Sequence, residues 1–288
     1  MNVLSLFDGM SGGMLACEKA GIKVNNYYAS EIKPHAIKTS MANFPSIKRL
    51  GDIKNVHYLE GGLFSENGMY APGAIDLFIG GSPCQDLSFI NQKKAGLEGE
   101  KSKLFYQYFR LLNEVKPKYF LLENVASMDN ESRDVISKLL GVEPIMINSN
   151  LLSAQNRRRY YWTNIPRVAQ PQDKQIMLMD IIDKEAEAEE ALSQKHIEFI
   201  ARKRNTGLYV QVNGDKSMPI TRRGFAAWNT QYYEDEKGIR NLTLLEYMRL
   251  QTIPEWFVFP VSKTKATDLI GDGWTIDVIA HILKHINQ

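Results

Sequence analysis

Asp76-Leu-Phe-Ile-Gly-Gly-Ser-Pro-Cys-Gln-Asp-Leu-Ser88 decides how the rest of this sequence is read. Leu77-Phe78-Ile79 is a short apolar run of the kind a buried strand shows. Gly80-Gly81 opens backbone conformations closed to other residues, and Pro83 fixes the turn just before Cys84. A thiol is thereby carried at the carboxyl end of a predicted strand, where open α/β sheets hold their ligands. A lone cysteine is more often a packing residue. The glycines, the proline and the polar Gln85-Asp86-Leu87-Ser88 argue here for an exposed, positioned thiol.

Working outward, the pattern on both sides is strand and helix in alternation. Asn2 to Phe7 reads as a strand, Asp8-Gly-Met-Ser-Gly-Gly13 as a tight loop, and Met14 to Ala20 as a helix ending at Gly21. The glycines allow close backbone approach, and the helix N-terminus offers N–H groups to an anionic group such as a carboxylate. The loop lacks G-x-G-x-x-G, so a nicotinamide enzyme is the weaker reading. Val24 to Ser30 is a second strand, ending at Glu31 at the separation where an acid can accept hydrogen bonds from ribose hydroxyls. A helix follows from Pro34 to Asn43. The alternation reaches the thiol strand at Ile75 and implies a parallel, doubly wound sheet.

Beyond Cys84, residues 91–101 are polar and glycine-bearing and read either as a closing loop or as plain surface. Ser102 to Val115 carries a helical apolar stripe. Lys118 to Leu122 is a strand delivering Glu123-Asn124-Val125 to the same edge as Cys84. An acid at the end of an apolar strand is costly unless it is used or paired. Ile145 to Asn148 and Tyr160 to Thr163 read as further strands flanking Gln155-x-Arg157-x-Arg159. On an extended chain that spacing points the side chains one way, and two guanidiniums can grip a phosphate and a base carbonyl.

From about Arg167 the character changes. Lys184 to Leu192 reads as an acidic, solvated helix, Leu192 to Ala201 as an amphipathic one, and Asn205 to Phe225 as basic and β-leaning. Arg222 and Arg223 are candidates for a guanine edge or a phosphate, or else rim charges on a loop. Arg240 to Gln251 is a helix ending before Pro254, and Gly271 to Ile279 opens the last helix.

Composition sets the class: 44% hydrophobic and 24% charged residues in 288 suit a soluble globular protein of one large domain or two unequal ones. No apolar run approaches the roughly 20 residues of a membrane span, and the start carries no secretory signal. Cys17 and Cys84 form neither a disulfide framework nor a metal cluster, and Cys17 reads as packing. His281 and His285 sit four apart with no third ligand evident, so no metal is expected. The net charge of +2 is uninformative, but basic residues bunch at Arg157-Arg158-Arg159, Arg202-Lys203-Arg204 and Arg222-Arg223.

Taken together, Gly81-Ser-Pro-Cys-Gln85 with Ser88, Glu123-Asn-Val125 and Gln155-x-Arg-x-Arg159, in that order, resemble the DNA cytosine-5 methyltransferase family. Further matches are Phe7-Asp-Gly-x-x-Gly-Gly13, Gly51-Asp-Ile53 and R-x-L-T-x-x-E-x-x-R-L-Q over Arg240 to Gln251. Asp8, in place of a frequent Ala, and Trp274 are closer to the animal de novo enzymes; Asp272 stands where most members carry Asn.

The resemblance implies an α/β fold, an S-adenosylmethionine-dependent Rossmann-like doubly wound sheet with a small inserted target-recognition domain. Catalytic and cofactor-binding residues would occupy 1–166 and 240–288, with target recognition in 167–239. It implies methyl transfer from S-adenosylmethionine to carbon 5 of a flipped cytosine in a short duplex target, through an adduct of Cys84 at carbon 6. Glu123 would hold ring nitrogen 3 and the exocyclic amine. Arg159 would reach the cytosine oxygen and Glu123, and Arg157 a flanking phosphate. The cofactor would meet Phe7, Asp8, Gly9, Ser11, Gly13, Glu31, Ile32, Asp52, Ile53, Ser82, Pro83, Leu104, Asp272 and Trp274. DNA would meet Gln85, Ser88, Gln155, Arg222 and Arg223. A cytoplasmic enzyme of a bacterium or a phage-infected cell follows, monomer or homodimer, with a cognate restriction endonuclease as a candidate partner. The alternatives are a tRNA cytosine-5 methyltransferase on the same scaffold and a catalytically inert DNA-binding homologue.

Overall fold

A computed structural model of the chain describes residues 1–82, 102–186, 191–204 and 210–287. The predicted nucleophile loop, with Pro83, Cys84, Gln85 and Ser88, and the predicted closing loop at 91–101 therefore lie outside the described residues, as does part of the predicted acidic helix.

In chain order the first elements are β1 (Asn2–Leu6), α1 (Gly12–Lys19), β2 (Asn26–Ser30), α2 (Pro34–Asn43) and β3 (Lys48–Arg49). Three short strands follow, β4 (His57–Leu59), β5 (Gly62–Ser65) and β6 (Gly68–Tyr70), then β7 (Leu77–Gly81), α3 (Ser102–Val115), β8 (Tyr119–Val125) and α4 (Asn130–Leu140). Next come β9 (Ile145–Asn148), β10 (Arg158–Thr163), α5 (Leu178–Ile181), α6 (Gln194–Lys203), β11 (Gln211–Val212), β12 (Gln231–Asp235) and β13 (Gly238–Asn241). The chain closes with α7 (Leu244–Leu250), α8 (Lys263–Asp272) and α9 (Ile276–Lys284).

The chain divides into two compact units. The first comprises Met1–Ile147, Arg158–Ala169 and Ala280–Gln288, the second Asn148–Arg157 and Gln170–Ile279. The first is built on a seven-stranded sheet in the order β3-β2-β1-β7-β8-β10-β9. β1 pairs in parallel with β2 and β7, and β7 with β8, while β10 runs antiparallel to β8. Val3, Leu4 and Leu6 of β1 and Leu77, Phe78 and Ile79 of β7 are all fully buried, as strands covered on both faces require. The strand order reverses between β1 and β7, which makes their carboxyl ends the natural ligand site.

Gly80 and Gly81 continue β7, and neither has a positive φ, so unusual backbone geometry is not their purpose. Gly80 instead makes room: a Cβ there would lie 3.0 Å from the Tyr108 ring of α3 and 3.1 Å from the Leu6 carbonyl. Sequence reading also misses the β4-β5-β6 meander. Its first turn has Glu60 at φ 49° and Gly61 at φ 82°, the pattern of a two-residue type I′ hairpin.

The second unit holds the β11-β12-β13 sheet with α5 to α8. It takes in residues 240–279, which the expected boundary assigned to the catalytic domain. A buried ion pair lies at the start of this segment. Arg240 donates to both carboxylate oxygens of Glu246 at 2.8 Å, and Glu246 also caps α7 and accepts from the Asp183 N–H. The last helix, α9, begins at Ile276 and not at Gly271, which lies near the end of α8.

Candidate active site

The glycine loop after β1 is strained by design: Phe7 has φ 56° and Ser11 φ 67°, regions that non-glycine residues seldom enter. A buried polar network holds it there. Asp8 accepts from the Ser11 hydroxyl at 2.5 Å and the Tyr27 hydroxyl at 2.9 Å, and pairs with Arg49 at 3.3 Å. Ser40 joins Ser11 and Arg49 in the same network. Burial pushes the Asp8 carboxyl above its ordinary range, while Arg49 and the hydroxyls oppose that shift. The side chains of Asp8 and Ser11, expected at the cofactor, thus face into the protein. Their work is to fix the loop, leaving backbone for a ligand.

Glu31, at the end of β2, accepts from the Gly9 N–H at 2.8 Å and from the N–H groups of Ile32 and Lys33 at 2.9 Å. A carboxylate has about four acceptor positions, so capacity remains for a ribose hydroxyl. Beside it Ile32 is 64% exposed, an apolar side chain suited to a flat base, and space is open where a Cβ of Gly9 would stand. After β3, Gly51 has φ 80° and Asp52 accepts from Lys54. Glu66, from the β5–β6 turn, takes the Asp52 N–H at 2.9 Å and occupies the room that a Cβ on Gly51 would need. Ile53 is 3% exposed and packs in the core, as Leu104 does in part. Gly13 is buried in α1. These groups fit an adenosine-bearing cofactor, with Glu31 for the ribose and Ile32 and the Asp52 loop for the base.

The edge expected to carry the chemistry belongs to β7 and β8. Gly81 is the register partner of Glu123, so β7 ends directly beside that carboxylate's strand position. Arg159 Nε donates to Glu123 Oε1 at 2.9 Å, with 16% and 12% of the two side chains exposed. Tyr161 is the direct cross-strand partner of Glu123, which places Arg159 on the neighbouring diagonal. Asn124, which the sequence reading leaves without a task, is buried. It donates to both the carbonyl and the hydroxyl of Ser82 at 3.2 Å, anchoring the last described residue before the nucleophile loop.

Other expected residues are placed in the second unit. Arg157 is 4% exposed and donates to the carbonyls of Ile220, Gly271 and Gly273. Arg159 meets Glu123, as the resemblance implies, while Arg157, expected at a phosphate, bonds peptide carbonyls. Gln155 is fully buried, accepting from the Ile220 N–H at 2.7 Å and donating to the Leu250 carbonyl at 3.2 Å. Arg222 and Arg223 are exposed in the turn after Ile220. Asp272 lies 3.9 Å from Arg222, and Trp274 follows in the α8–α9 joint. Cys17 is buried and its thiol is pushed up to about 12 by desolvation, the packing role its position predicts. Among the described residues no helix is long and apolar enough to cross a membrane, and no group of three or more potential ligands could hold a metal ion.

A largely parallel sheet in which β10 runs antiparallel to β8, a strained glycine loop after the first strand and a ribose-competent acid after the second define a Rossmann-like S-adenosylmethionine-dependent methyltransferase. A family model described as C-5 cytosine-specific DNA methylase matches residues 1–288, and the chain belongs to that family. The chain is 27% identical to the Type II methyltransferase M1.ScrFI of Lactococcus lactis subsp. cremoris, over 98% of its own length and 77% of that protein. It is 26% identical to M.HpaII of Haemophilus parainfluenzae, over 98% and 88%. Among solved structures, a mutant DNMT2 of Spodoptera frugiperda superposes with a TM-score of 0.72 at 17% identity, covering 100% of this chain and 99% of that one. The Entamoeba histolytica methyltransferase EhMeth gives 0.77 at 13% identity, over 99% and 97%. These two likenesses establish the fold. The enzyme is a DNA cytosine-5 methyltransferase that uses S-adenosylmethionine as methyl donor, in a family that works through a cysteine adduct.

Proposed function

We propose that Cys84 is the adduct-forming nucleophile, Glu123 the group that holds the cytosine ring, and Arg159 the cation that orients Glu123. The observation that carries this reading is the register of Gly81 with Glu123, together with the Glu123–Arg159 pair at 2.9 Å. A cytosine ring is a poor nucleophile at carbon 5. Addition of the Cys84 thiolate at carbon 6, with Glu123 bonding ring nitrogen 3, makes carbon 5 enamine-like. Bound S-adenosylmethionine supplies an electrophilic methyl group to that carbon. Loss of the carbon 5 proton and departure of the thiolate restore the ring. Carbon 6 is inaccessible in a stacked duplex, so the target base is flipped out.

Glu31, Ile32, the Gly9 backbone and the Asp52 loop hold the cofactor. Residues 167–239 read a short duplex target, with Arg222 and Arg223 at the DNA. The enzyme works in the cytoplasm of a bacterium or a phage-infected cell, as a monomer or homodimer, alongside a cognate restriction endonuclease; the Type II names of its relatives support that setting. The test is transfer of labelled methyl to unmethylated duplex DNA by wild type and by Cys84→Ala, with tRNA as a parallel acceptor. Label in DNA that disappears in the variant supports the reading. Label confined to tRNA, or undiminished in Cys84→Ala, overturns it.

A further inference from the structure

We propose that Gln155, Arg157 and Gly271 are positioning residues for target recognition: they fix the Arg222-bearing turn on the end of α8, so that target discrimination depends on them. The proposal rests on the reading of 167–239 as the recognition region and deepens it.

The geometry is a two-handed hold on a single residue. Ile220 gives its N–H to Gln155 Oε1 at 2.7 Å and receives Arg157 Nη1 on its carbonyl at 2.6 Å. Gln155 is in turn fixed by donating to the Leu250 carbonyl and to Gln251 Oε1, and Arg157 by the Asn148 side chain at its own N–H. The second Arg157 nitrogen, Nη2, reaches the carbonyls of Gly271 and Gly273 at 2.9 Å. One guanidinium therefore ties the entrance of the turn to the C-terminal end of α8. Its planar fork spreads these donors over two nitrogens in a fixed geometry, where a lysine would gather them on one freely rotating ammonium.

The turn then lies directly on that helix end. A Cβ on Gly271 would fall 2.5 Å from the Thr221 carbonyl carbon and 2.7 Å from the Arg222 nitrogen, so no other residue fits without moving the turn. The Arg223 N–H bonds Asp268 at 3.0 Å, and Arg222 faces Asp272. The exit is pinned as well: the Trp228 carbonyl accepts from the Tyr232 hydroxyl at 2.8 Å, and His196 stacks on Trp228 with centroids 4.2 Å apart. Between these anchors Thr221, Arg222 and Arg223 are exposed. An arginine reads a base edge by directed bonds, and a base step is about 3.4 Å, so a turn displaced by an ångström or more misaligns the fork. Preorganisation of this kind also spares the ordering cost on binding.

The test begins by reading the target through bisulfite sequencing of DNA methylated by the wild-type enzyme. kcat/KM is then measured on that duplex and on duplexes altered at one flanking base, for wild type, Gly271→Ala, Arg157→Lys and Arg222→Ala. We expect each clamp variant to lower the ratio of cognate to altered-site kcat/KM by about tenfold, mainly through KM for DNA, at the flanking base where Arg222→Ala also acts. If Arg222→Ala changes the ratio and neither clamp variant does, the positioning role fails while the recognition reading stands. If Arg222→Ala leaves the ratio unchanged, the recognition reading of the turn fails and takes this proposal with it. If Arg157→Lys lowers kcat equally on every duplex, Arg157 belongs to the chemistry instead. Should Arg157→Lys not fold, as judged by its melting transition, Gly271→Ala carries the test alone, because it leaves the fork intact.

Discussion

Arg159 and Arg157 stand two residues apart in one motif and serve opposite ends. At the edge of the large sheet, Arg159 bonds Glu123 through Nε and the Arg158 carbonyl through Nη1, two of the five N–H donors that a guanidinium carries. In the second unit Arg157, 4% exposed, holds three peptide carbonyls. The same division runs through the two regions as a whole. At the sheet edge, Glu31 keeps acceptor capacity at the carboxyl end of β2, and Glu123 meets Arg159 at the carboxyl end of β8. In the second unit, Arg240–Glu246, Gln155 and Lys216 are consumed in holding chain to chain; Lys216 alone donates to the carbonyls of Asn150, Ser153 and Ile176. The parallel sheet is rigid through its own ladder and its buried apolar strands. Among the described residues the second unit's strands are two to five residues long, and buried polar groups add to the order that their short ladders supply.

If this contrast is right, substitutions at the sheet edge change turnover and those in the second unit change stability. Glu123→Gln keeps shape and loses charge; we expect kcat to fall at least about 100-fold with the melting temperature little altered, read by single-turnover methyl transfer. A kcat within a factor of three of wild type would remove Glu123 from the chemistry. Arg240→Ala leaves Glu246 buried without its partner and should cost about 3–5 kcal/mol in urea unfolding. A smaller loss, below about 1 kcal/mol, would mean that the second unit does not depend on this pair.

Gly80→Ala probes the sheet itself. Its Cβ meets the Tyr108 ring and the Leu6 carbonyl, and overpacking of that kind costs about 1–3 kcal/mol. A neutral result would show that α3 can shift off β7. The smallest effect concerns His196, whose imidazole is held below its ordinary pKa by burial. A depressed value means that the folded protein binds fewer protons than the unfolded chain. This contribution to stability is therefore complete above the unfolded value of about 6.5 and is lost as pH falls below it. Urea unfolding at pH 7.5 and 5.5 should show that loss in wild type and a lesser one in His196→Gln. Equal losses would sink the assignment.

Much of the first unit is legible from residues alone. The limits of α2 and α3 follow from Pro34 and from the apolar stripe of 102–115, and both helices form where those signals place them. Glu123 is legible because an acid in an apolar strand needs a reason. The antiparallel meander at 57–70 is missed, although its Glu60-Gly61 turn is a local hairpin signal that a strand-helix alternation overrides. Asp8 and Ser11 are read as ligand contacts because the motif marks the loop. Nothing in the motif tells whether a side chain or its backbone faces the ligand.

What the sequence by itself determined is the class of fold, the family and the order of the strands and helices that build the large sheet. Hydrophobic period, glycine and proline positions and short motifs are local, and local patterns specify elements and their order. Tertiary structure alone decided which polar groups are left for a ligand and which are used up inside. Arg157 and Ile220 are 63 residues apart, Arg157 and Gly271 are 114 apart, and Asp8 and Arg49 are 41 apart. Whether a guanidinium meets a carboxylate, a carbonyl or solvent depends on such long-range neighbours. Desolvation and directed hydrogen bonds then fix its role.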